Sequence, residues 1–538
     1  MQIVLLSGEI GSGKSTLCSY LEQRFGFHVL KTKAVMEQLA LERSRKGIDQ
    51  NRGAMQSFGQ RLDRQTKGRW VETALTKLLR TIPETSAGVV VDAVRIREQI
   101  RIIRRAYGYS VAHVHLTASE AALAERYKKR TDSGLRELSK YSEVKRSKTE
   151  AAVHKLADIA DIVIDTELCT PEGVLVRAGS HLNLYAGDHR RCVDVIVGGQ
   201  FGSEGKGHVV SYLAREYQLL VRVGGPNAGH KVFLEPEPYT HHLLPSGTLR
   251  NPSASLILSP GCVLDVQQLR KEIAECNVDS RRLSIDPQAM IISPKDKRDE
   301  AKLVAKIGST GQGVGFATAR RITHRFSETL LAKDVKDLKP FVRETWPLLD
   351  QAYRDGKKVM LEGTQGAGLS LYHGSYPYVT SRDTSVPACL SEAGIPPSRL
   401  RRVVMVCRSY PIRVQNPPGG TSGPIGREIS WQVISQRSRL RLDQLVKTEK
   451  TSTTHRDRRV AEFSWELLRR SSALNGPTDV ALTFVDYLSA DNERARRFEQ
   501  LTPETIHFIE EIQRVAAAPV SLISTRFGFR SIIDRRAW

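Results

Sequence analysis

Two kinds of apolar pattern alternate along this chain. Short, nearly unbroken apolar runs, IVLLSG (3–8), VLK (29–31), AGVVVDA (87–93), SVAHVHLT (110–117) and ADIVIDT (160–166), are separated by long stretches with apolar residues at helical spacing. Such runs read as strands buried on both faces, and their spacing by helical stretches predicts a parallel, doubly wound sheet. Thr170 to Leu175 reads as a last short helix. From Gly179 to Arg191, GSHLNLYAGDHRR loses periodicity, which predicts a linker over 179–191 between a first domain, 1–178, and a second, 192–538. The second opens on a fresh apolar run, VDVIVGG (193–199). It continues with LLVRVGG (219–225), SLILSPG (255–261), KVMLEG (358–363), RVVMVC (402–407), DVALTFV (479–485) and PVSLIST (519–525), again interleaved with helices. The expected class is α/β throughout, without internal repeats.

Composition narrows the classes. With 538 residues, 40% apolar and 26% charged, the chain is a globular protein and not a disordered, collagenous or coiled-coil one. No apolar run reaches the roughly 18 residues of a membrane span. The N-terminal MQIVLLSGEIGSGKST leads into a glycine-rich loop and not into a cleavage site, so a cytoplasmic protein is expected. The seven cysteines are scattered without a CxxC pair; free thiols are expected, with neither a disulfide framework nor a zinc site. Lys and Arg outnumber Asp and Glu by 81 to 59, a formal charge of +22. That excess points to polyanionic partners, either nucleic acid or nucleotides.

The first domain carries chemistry at its start. Gly8-Glu9-Ile10-Gly11-Ser12-Gly13-Lys14-Ser15 matches GxxxxGK[ST] directly after a strand and before a helical stretch, the context that a phosphate-binding P-loop requires. Backbone N–H groups from Gly8, Gly11, Gly13 and Thr16 would wrap the phosphates, Lys14 would reach their outer oxygens, and Ser15 would ligate Mg²⁺. Beyond the loop, FGQRLDRQTKGRW (58–70), VVVDAVRIREQIRIIRR (89–105) and the basic AERYKKR (124–130) resemble the deoxynucleoside monophosphate kinase branch of the P-loop kinases. The resemblance implies Asp92 and Arg95 at the acceptor, Arg64 as another acceptor-phosphate candidate, and Arg126 and Arg130 on a closing lid. For Arg126 and Arg130 a solvated helix face is an equal alternative.

From Cys192 onward several motifs follow one another: GGQFGSEGKGH (198–208), GGPNAGHKV (224–232), HHLLPSG (241–247), GSTGQGVG (308–315), EGTQG (362–366), HGSYPYVTS (373–381), THRDRR (454–459) and VSLISTR (520–526). In this order they resemble adenylosuccinate synthetase. That family phosphorylates O6 of a 6-oxopurine nucleotide with a nucleoside triphosphate and Mg²⁺, then displaces the phosphate with the amine of aspartate. The resemblance implies that His230 supports the transferring phosphoryl group and O6. Gly205, Lys206 and Gly207 would cradle the triphosphate, and Gly229 would offer a carbonyl to Mg²⁺. Gln365 would contact O6, and Asn227, Thr310 and Thr380 would hold the purine nucleotide. Thr454, Arg456 and Arg458 would grip the aspartate carboxylates, and Asp486 and Ser524 would line the triphosphate site.

Three departures from the family pattern bear on substrate. Ser203 stands in GSEGKG where the family has a catalytic aspartate; a hydroxyl is a far weaker base than a carboxylate and a poorer Mg²⁺ ligand. It also leaves room beside N1 and C2 of the purine, where guanine carries an amino group. This substitution resembles the bacteriophage branch of the family, which converts dGMP to N6-succino-2-amino-2′-deoxyadenylate. Second, the guanine-reading TKxD segment is replaced by Thr483-Phe484-Val485-Asp486, and Arg526 replaces a late glycine; the resemblance to the phage branch implies ATP or dATP as donor, with GTP the alternative. Third, the family arginine supplied across a dimer interface aligns with His324 or Arg325; Arg325 is preferred as the permanent cation, and a homodimer through the second domain is implied.

The expected protein is therefore a two-domain enzyme of purine deoxynucleotides, ligating aspartate to dGMP or GMP and phosphorylating a nucleoside monophosphate. The alternatives are a synthetase acting on IMP with an accessory P-loop domain, and a nucleotide sensor or DNA-binding protein. The scattered basic runs lack interleaved aromatics and disfavour a nucleic-acid groove.

Overall fold

Gln2–Gly8 lies at the centre of a five-stranded parallel sheet with the spatial order Phe27–Leu30, Gly88–Val91, Gln2–Gly8, Val111–Thr117, Ile162–Asp165. The computed structural model describes residues 1–43, 52–83, 86–129, 141, 148–185, 190–235, 237–325, 329–451, 456–528 and 530–538. Successive strand side chains point to opposite faces, and both faces are covered. Ile3, Leu5, Val89 and Val91 meet Phe58, Leu62, Leu75 and Ile100 on one side. Val4, Leu6, Val90 and Leu116 meet Leu17, Leu21, Val174 and Leu175 on the other. Two-sided burial is why these strands read as unbroken apolar runs.

The helix expected at Thr170 to Leu175 runs Pro171–His181, so the segment 179–191 is not wholly a linker. Leu182 is buried in the same core. A Cβ on Gly179 would lie 2.6 Å from the Tyr185 ring; this glycine marks a close approach and not a break, which is why periodicity fades while the helix continues. The first compact unit is Met1–Gly187 and the second Asp188–Trp538.

The second unit is built on nine strands in the order Leu283–Ile285, Ser255–Leu258, Leu219–Arg222, Val359–Glu362, Val193–Gly198, Leu400–Arg408, Asp479–Thr483, Val520–Ser524, Ile532–Asp534. All neighbours are parallel except the last pair. The seven apolar runs of this domain each form a strand. Leu283–Ile285 and Ile532–Asp534, the two edges, have three residues apiece, too few to show a period. Asp194, inside the central strand, is fully buried but receives Arg401 Nε at 2.8 Å and the Tyr217 hydroxyl at 2.6 Å. In both sheets a central strand delivers a glycine-rich loop from its carboxyl end, where ligands bind in open α/β sheets. No helix among the described residues is long and apolar enough to cross a membrane.

Candidate functional site

In the first unit the loop after Gly8 turns through three left-handed glycines, Gly8, Gly11 and Gly13, into the helix Lys14–Phe25. A Cβ on Gly8 would collide with the Leu116 carbonyl at 2.2 Å, so only glycine fits that turn. Lys14 Nζ donates to the carbonyls of Gly8 and Glu9 at 2.6 and 2.8 Å. Beneath the loop, Ser7 Oγ lies 2.6 Å from His113 Nε2 and 2.7 Å from His115 Nδ1, all buried.

A cavity of about 480 Å³ opens beside the loop, lined by Gly11, Gly13, Lys14, Ser15 and Thr16 at one end and Asp92 and Arg95 farther on. Asp92 Oδ1 accepts from Thr32 N and Oγ1, both at 2.8 Å. Arg95 is ion-paired with Glu150, which also lines the cavity. Arg64 is not brought there: it is exposed and donates to its own helix at Gln60 O, while Asp63, one residue earlier, faces the cavity and accepts from Trp70 and Gln99. Arg126 is half-buried and bonds Thr166 Oγ1 at 2.8 Å and O at 3.0 Å, with Gly11 O at 3.4 Å; it abuts the loop instead of lying on a solvated face. Arg130 lies outside the described residues.

In the second unit the loop after Val193–Gly198 carries left-handed Gly202 and Gly205, and the helix Lys206–Leu213 follows. Lys206 is buried, with Nζ 3.0 Å from Gly202 O and 2.7 Å from Glu204 Oε2. Glu204 in turn accepts from the N–H of Gln200 and Gly202. Gly207 packs so closely on His230 that a Cβ would lie 2.9 Å from the His230 Cβ. Ser203, half-buried, accepts Arg408 Nη1 at its backbone carbonyl, 3.3 Å away.

His230 is held by a group that sequence reading did not single out. Its Nδ1 contacts Glu362 Oε1, and the same carboxylate takes Arg222 Nη1 at 3.1 Å, Ser246 N at 2.7 Å and the Ser246 hydroxyl. His230 Nε2 is buried and has no hydrogen-bond partner among the described residues. Burial, reinforced by Arg222 and opposed by Glu362, lowers the His230 pKa to about 4. Burial alone would raise Glu362, but Arg222 and then His230 hold it below the usual carboxylate range. The result is a neutral imidazole, oriented at one nitrogen and open at the other. The motif EGTQG contains Glu362, and its glutamate was the available signal.

Three residues expected around the purine do meet. Gln365 Nε2 donates to Asn227 Oδ1 at 2.9 Å, and Asn227 Nδ2 to Thr380 Oγ1 at 3.4 Å. Gln365 adopts a left-handed φ of 59°, a strained conformation for glutamine that concentrates at functional sites. Thr310 sits half-buried in the turn Gly308–Gly313 ahead of the helix Val314–Thr323. Gly229 follows Ala228, whose carbonyl accepts from Arg222. Arg325 is exposed.

Of the expected aspartate grip, Thr454 lies outside the described residues. Arg456 is half-buried, and its backbone pairs with Thr451. Arg458 is committed to Glu449 at 3.0 Å, a buried carboxylate that also receives Arg408 at 2.8 Å and the Tyr487 hydroxyl at 2.6 Å. Burial opposes its ionisation, but Arg408 and Arg458 lower Glu449 to about 2. Arg458 therefore belongs to a buried network instead of standing free. Asp486 is buried, its Oδ1 without a hydrogen-bond partner among the described residues, and Ser524 Oγ donates to Arg526 O at 3.0 Å.

The buried histidines carry a pH consequence. Burial lowers His113, His115, His208 and His230 to about 4 and His241 to about 3. The folded chain keeps them neutral while the unfolded chain protonates, so stability is intact above about pH 6.5 and falls as pH drops toward 4. Each such group contributes a loss on the order of 2 kcal/mol at pH 5. Denaturant unfolding at pH 7.5 and 5 should show a marked fall at the lower pH; equal stabilities would contradict the buried neutral state.

Comparison with known proteins places the second unit in a family. The family model for adenylosuccinate synthetase matches residues 195–330 and 325–493, and a model described as an AAA domain matches residues 4–151. The adenylosuccinate synthetase of Thermococcus onnurineus is 38% identical over 351 residues, 64% of this chain and 98% of that protein. The solved structure of the cyanophage S-2L succinoaminodeoxyadenylate synthetase, bound to dGMP and to dATP as an energy donor, aligns at a TM-score of 0.54 and 28% identity, covering 65% of this chain and 96% of that one. Adenylosuccinate synthetase from Plasmodium falciparum aligns at 0.53 and 22%, covering 64% and 100%, a likeness of fold. The chain belongs to the adenylosuccinate synthetase family of C–N ligases, its synthetase domain following a P-loop domain.

Proposed function

We propose that the second domain joins L-aspartate to C6 of dGMP or GMP, giving for dGMP N6-succino-2-amino-2′-deoxyadenylate, and that the first phosphorylates a nucleoside monophosphate. The observation that carries the choice of a guanine nucleotide is Ser203, a small hydroxyl residue in the phosphate loop. The similar cyanophage enzyme, whose solved structure holds dGMP, supports it.

The reaction needs a poor leaving group made good. N1–H gives up its proton to water as the γ-phosphoryl group moves to O6 of the purine, and the aspartate amine then attacks C6, expels phosphate and releases its own proton. Lys206 and the N–H groups of Gly205 and Gly207 hold the triphosphate. Glu362 holds the Nδ1–H of His230 and so turns the bare Nε2 toward the reacting oxygen; once Nε2 takes up a proton in the loaded site, it donates to the oxygen on which negative charge develops. Gln365, tied to Asn227 and Thr380, positions the purine. Arg456, with Thr454, takes the aspartate carboxylates. Arg458 reaches them only by sharing its guanidinium with Glu449. Arg325 reaches an acceptor phosphate in a homodimeric partner.

Mg²⁺ would neutralise triphosphate charge at both sites. In the first unit Ser15 joins Asp92 in one cavity, an oxygen set that suits Mg²⁺. In the second, Glu204 is locked to Lys206 and Glu362 to Arg222. The other protein oxygens that the family reading assigns there, from Ser203 and the Gly229 carbonyl, are neutral, so the ion fits with substrate phosphates as its main anionic ligands.

A panel of IMP, GMP, dGMP and dAMP, each with aspartate and ATP or GTP, tests the assignment through the mass of the succinylated product. Adduct from IMP alone would restore the alternative acceptor, which the 38% identity to an adenylosuccinate synthetase favours. Ser203→Asp fills the space beside C2 and is expected to lower dGMP turnover about tenfold or more, the scale of a pocket steric change; an unchanged rate would remove Ser203 from substrate choice.

A further inference from the structure

Behind the acceptor cavity of the first unit lies a second and larger one. Its volume is about 760 Å³, inside the range of roughly 300–1,000 Å³ usual for small-molecule sites. It opens among the helices Thr32–Glu42, Arg52–Thr66 and Arg69–Leu79. The buried Leu30 and Leu62 and the half-buried Leu39, Ala74 and Ile102 form its floor. Arg43, Lys67, Arg69 and Lys77 stand exposed at its rim, and Glu42 is the one acidic side chain among the described residues that line it. No carboxylate among the described residues pairs with any of the four cations; Arg43 donates instead to Gln65 Oε1 at 2.9 Å. Lys67 holds a left-handed φ of 52°, backbone strain of the kind that collects at ligand clamps.

Trp70 is a wall common to both cavities. Its Nε1–H donates to Asp63 Oδ1 at 2.7 Å, and Gln99 Nε2 donates to the same oxygen at 2.9 Å. Gln99 Oε1 in turn accepts from Arg95 N at 2.8 Å. Three hydrogen bonds thus run from the outer cavity to Arg95, which lines the inner one and is ion-paired there with Glu150.

We propose that the outer cavity binds a nucleoside triphosphate as an effector, which raises the KM of the first domain for its acceptor. Four cations against one acid call for a polyanion, and the guanidinium groups of Arg43 and Arg69 suit phosphate oxygens. The Trp70 ring and its aliphatic neighbours suit the flat face of a base. No glycine-rich loop lies among the described residues of the lining, so the occupant is held and not transferred. The direction of the effect follows from which arrangement the occupant favours. A ligand stabilises the arrangement that holds its site. Here the outer cavity is open while Arg95 is held by Glu150, and an acceptor phosphate must displace Glu150 to reach Arg95. The effect on the acceptor rests on the reading of the first domain as a monophosphate kinase; the site itself does not.

The test counts labelled ATP bound to the full-length protein in equilibrium dialysis without aspartate or acceptor, then follows the acceptor KM as ATP rises well past saturation of the first phosphate loop. A variant carrying Arg43→Glu, Arg69→Glu and Lys77→Glu, and separately Ala74→Trp, which fills the floor, should each bind one ATP fewer per chain than the parent. Tripolyphosphate should displace that ATP only at about tenfold or higher concentration, the share of a stacked base. In the parent, excess ATP should raise the acceptor KM about fivefold or more; in both variants the KM should stay flat. Trp70→Phe keeps the aromatic wall without the N–H, and should keep the additional ATP while losing the KM response. Equal ATP counts in parent and variants, tripolyphosphate as effective as ATP, or a parent KM that excess ATP leaves unchanged or lowers would overturn the proposal. Failure of the kinase reading shows separately, as no phosphorylated monophosphate from any of these proteins, and the ATP counts then decide the site.

Discussion

The Glu362→Ala variant is expected to lose about 3–5 kcal/mol of stability, the usual result of stranding one member of a buried ion pair, together with most of its aspartate ligation. Arg222 is buried and would keep its carbonyl partners, Ala228, His242 and Leu244, but no counter-charge. His230 would lose the contact that fixes which nitrogen carries the proton. Misorienting a group that handles charge in the transition state costs roughly 10²–10⁴-fold in rate. Glu362→Gln separates the two effects, since the amide keeps an acceptor for Ser246 N while the charge goes. Denaturant unfolding beside kcat for each variant decides; a Glu362→Ala protein as stable as the parent would show that the carboxylate does not balance Arg222.

The second large effect comes from paired lysines. Lys206→Met should abolish ligation, by at least the roughly 10²–10³-fold of a lost phosphoryl-stabilising donor, and should destabilise its unit because Glu204 stays buried without a cation. Lys14→Met should abolish monophosphate phosphorylation and leave ligation intact. Lys14 is half-buried and touches the carbonyls of Gly8 and Glu9, so its loss should cost less stability than that of the fully buried Lys206. Both activities are measured on both variants, with labelled triphosphate for the kinase and product mass for the ligase. Loss of ligation in Lys14→Met would refute one phosphate loop per reaction.

What the sequence made legible follows the physics of each feature. The buried strands could be read because covering a sheet on both faces forces an unbroken apolar run, as in IVLLSG and VDVIVGG. The phosphate loops could be read because close backbone turns demand glycine at fixed spacing. The end of Pro171–His181 could not, since Gly179 gives way to Tyr185, a partner beyond the helix. Arg64 shows the same limit: one helical step separates it from the cavity that Asp63 lines, and composition does not reveal which of two adjacent residues turns inward. Charge partners were the least visible. Glu150, Glu362 and Glu449 each lie far along the chain from a cation they hold, Arg95, Arg222 and Arg408. Pairing set by the sheet leaves no local pattern.

The left-handed glycines that open Lys14–Phe25, Lys206–Leu213 and Val314–Thr323 have one more consequence. Other helices begin at Ser119, Thr170, Asp265 or Ser293, whose side-chain oxygen accepts from the first turn and so caps it. Gly13, Gly205 and Gly313 have no such oxygen. On the proposed reading, a phosphate oxygen would supply it at Gly13 and Gly205, and a residue in that role is worth about 1 kcal/mol to a helix. The triphosphates would then be the N-caps of these two helices, and secondary structure there would be completed by the molecules the protein transforms.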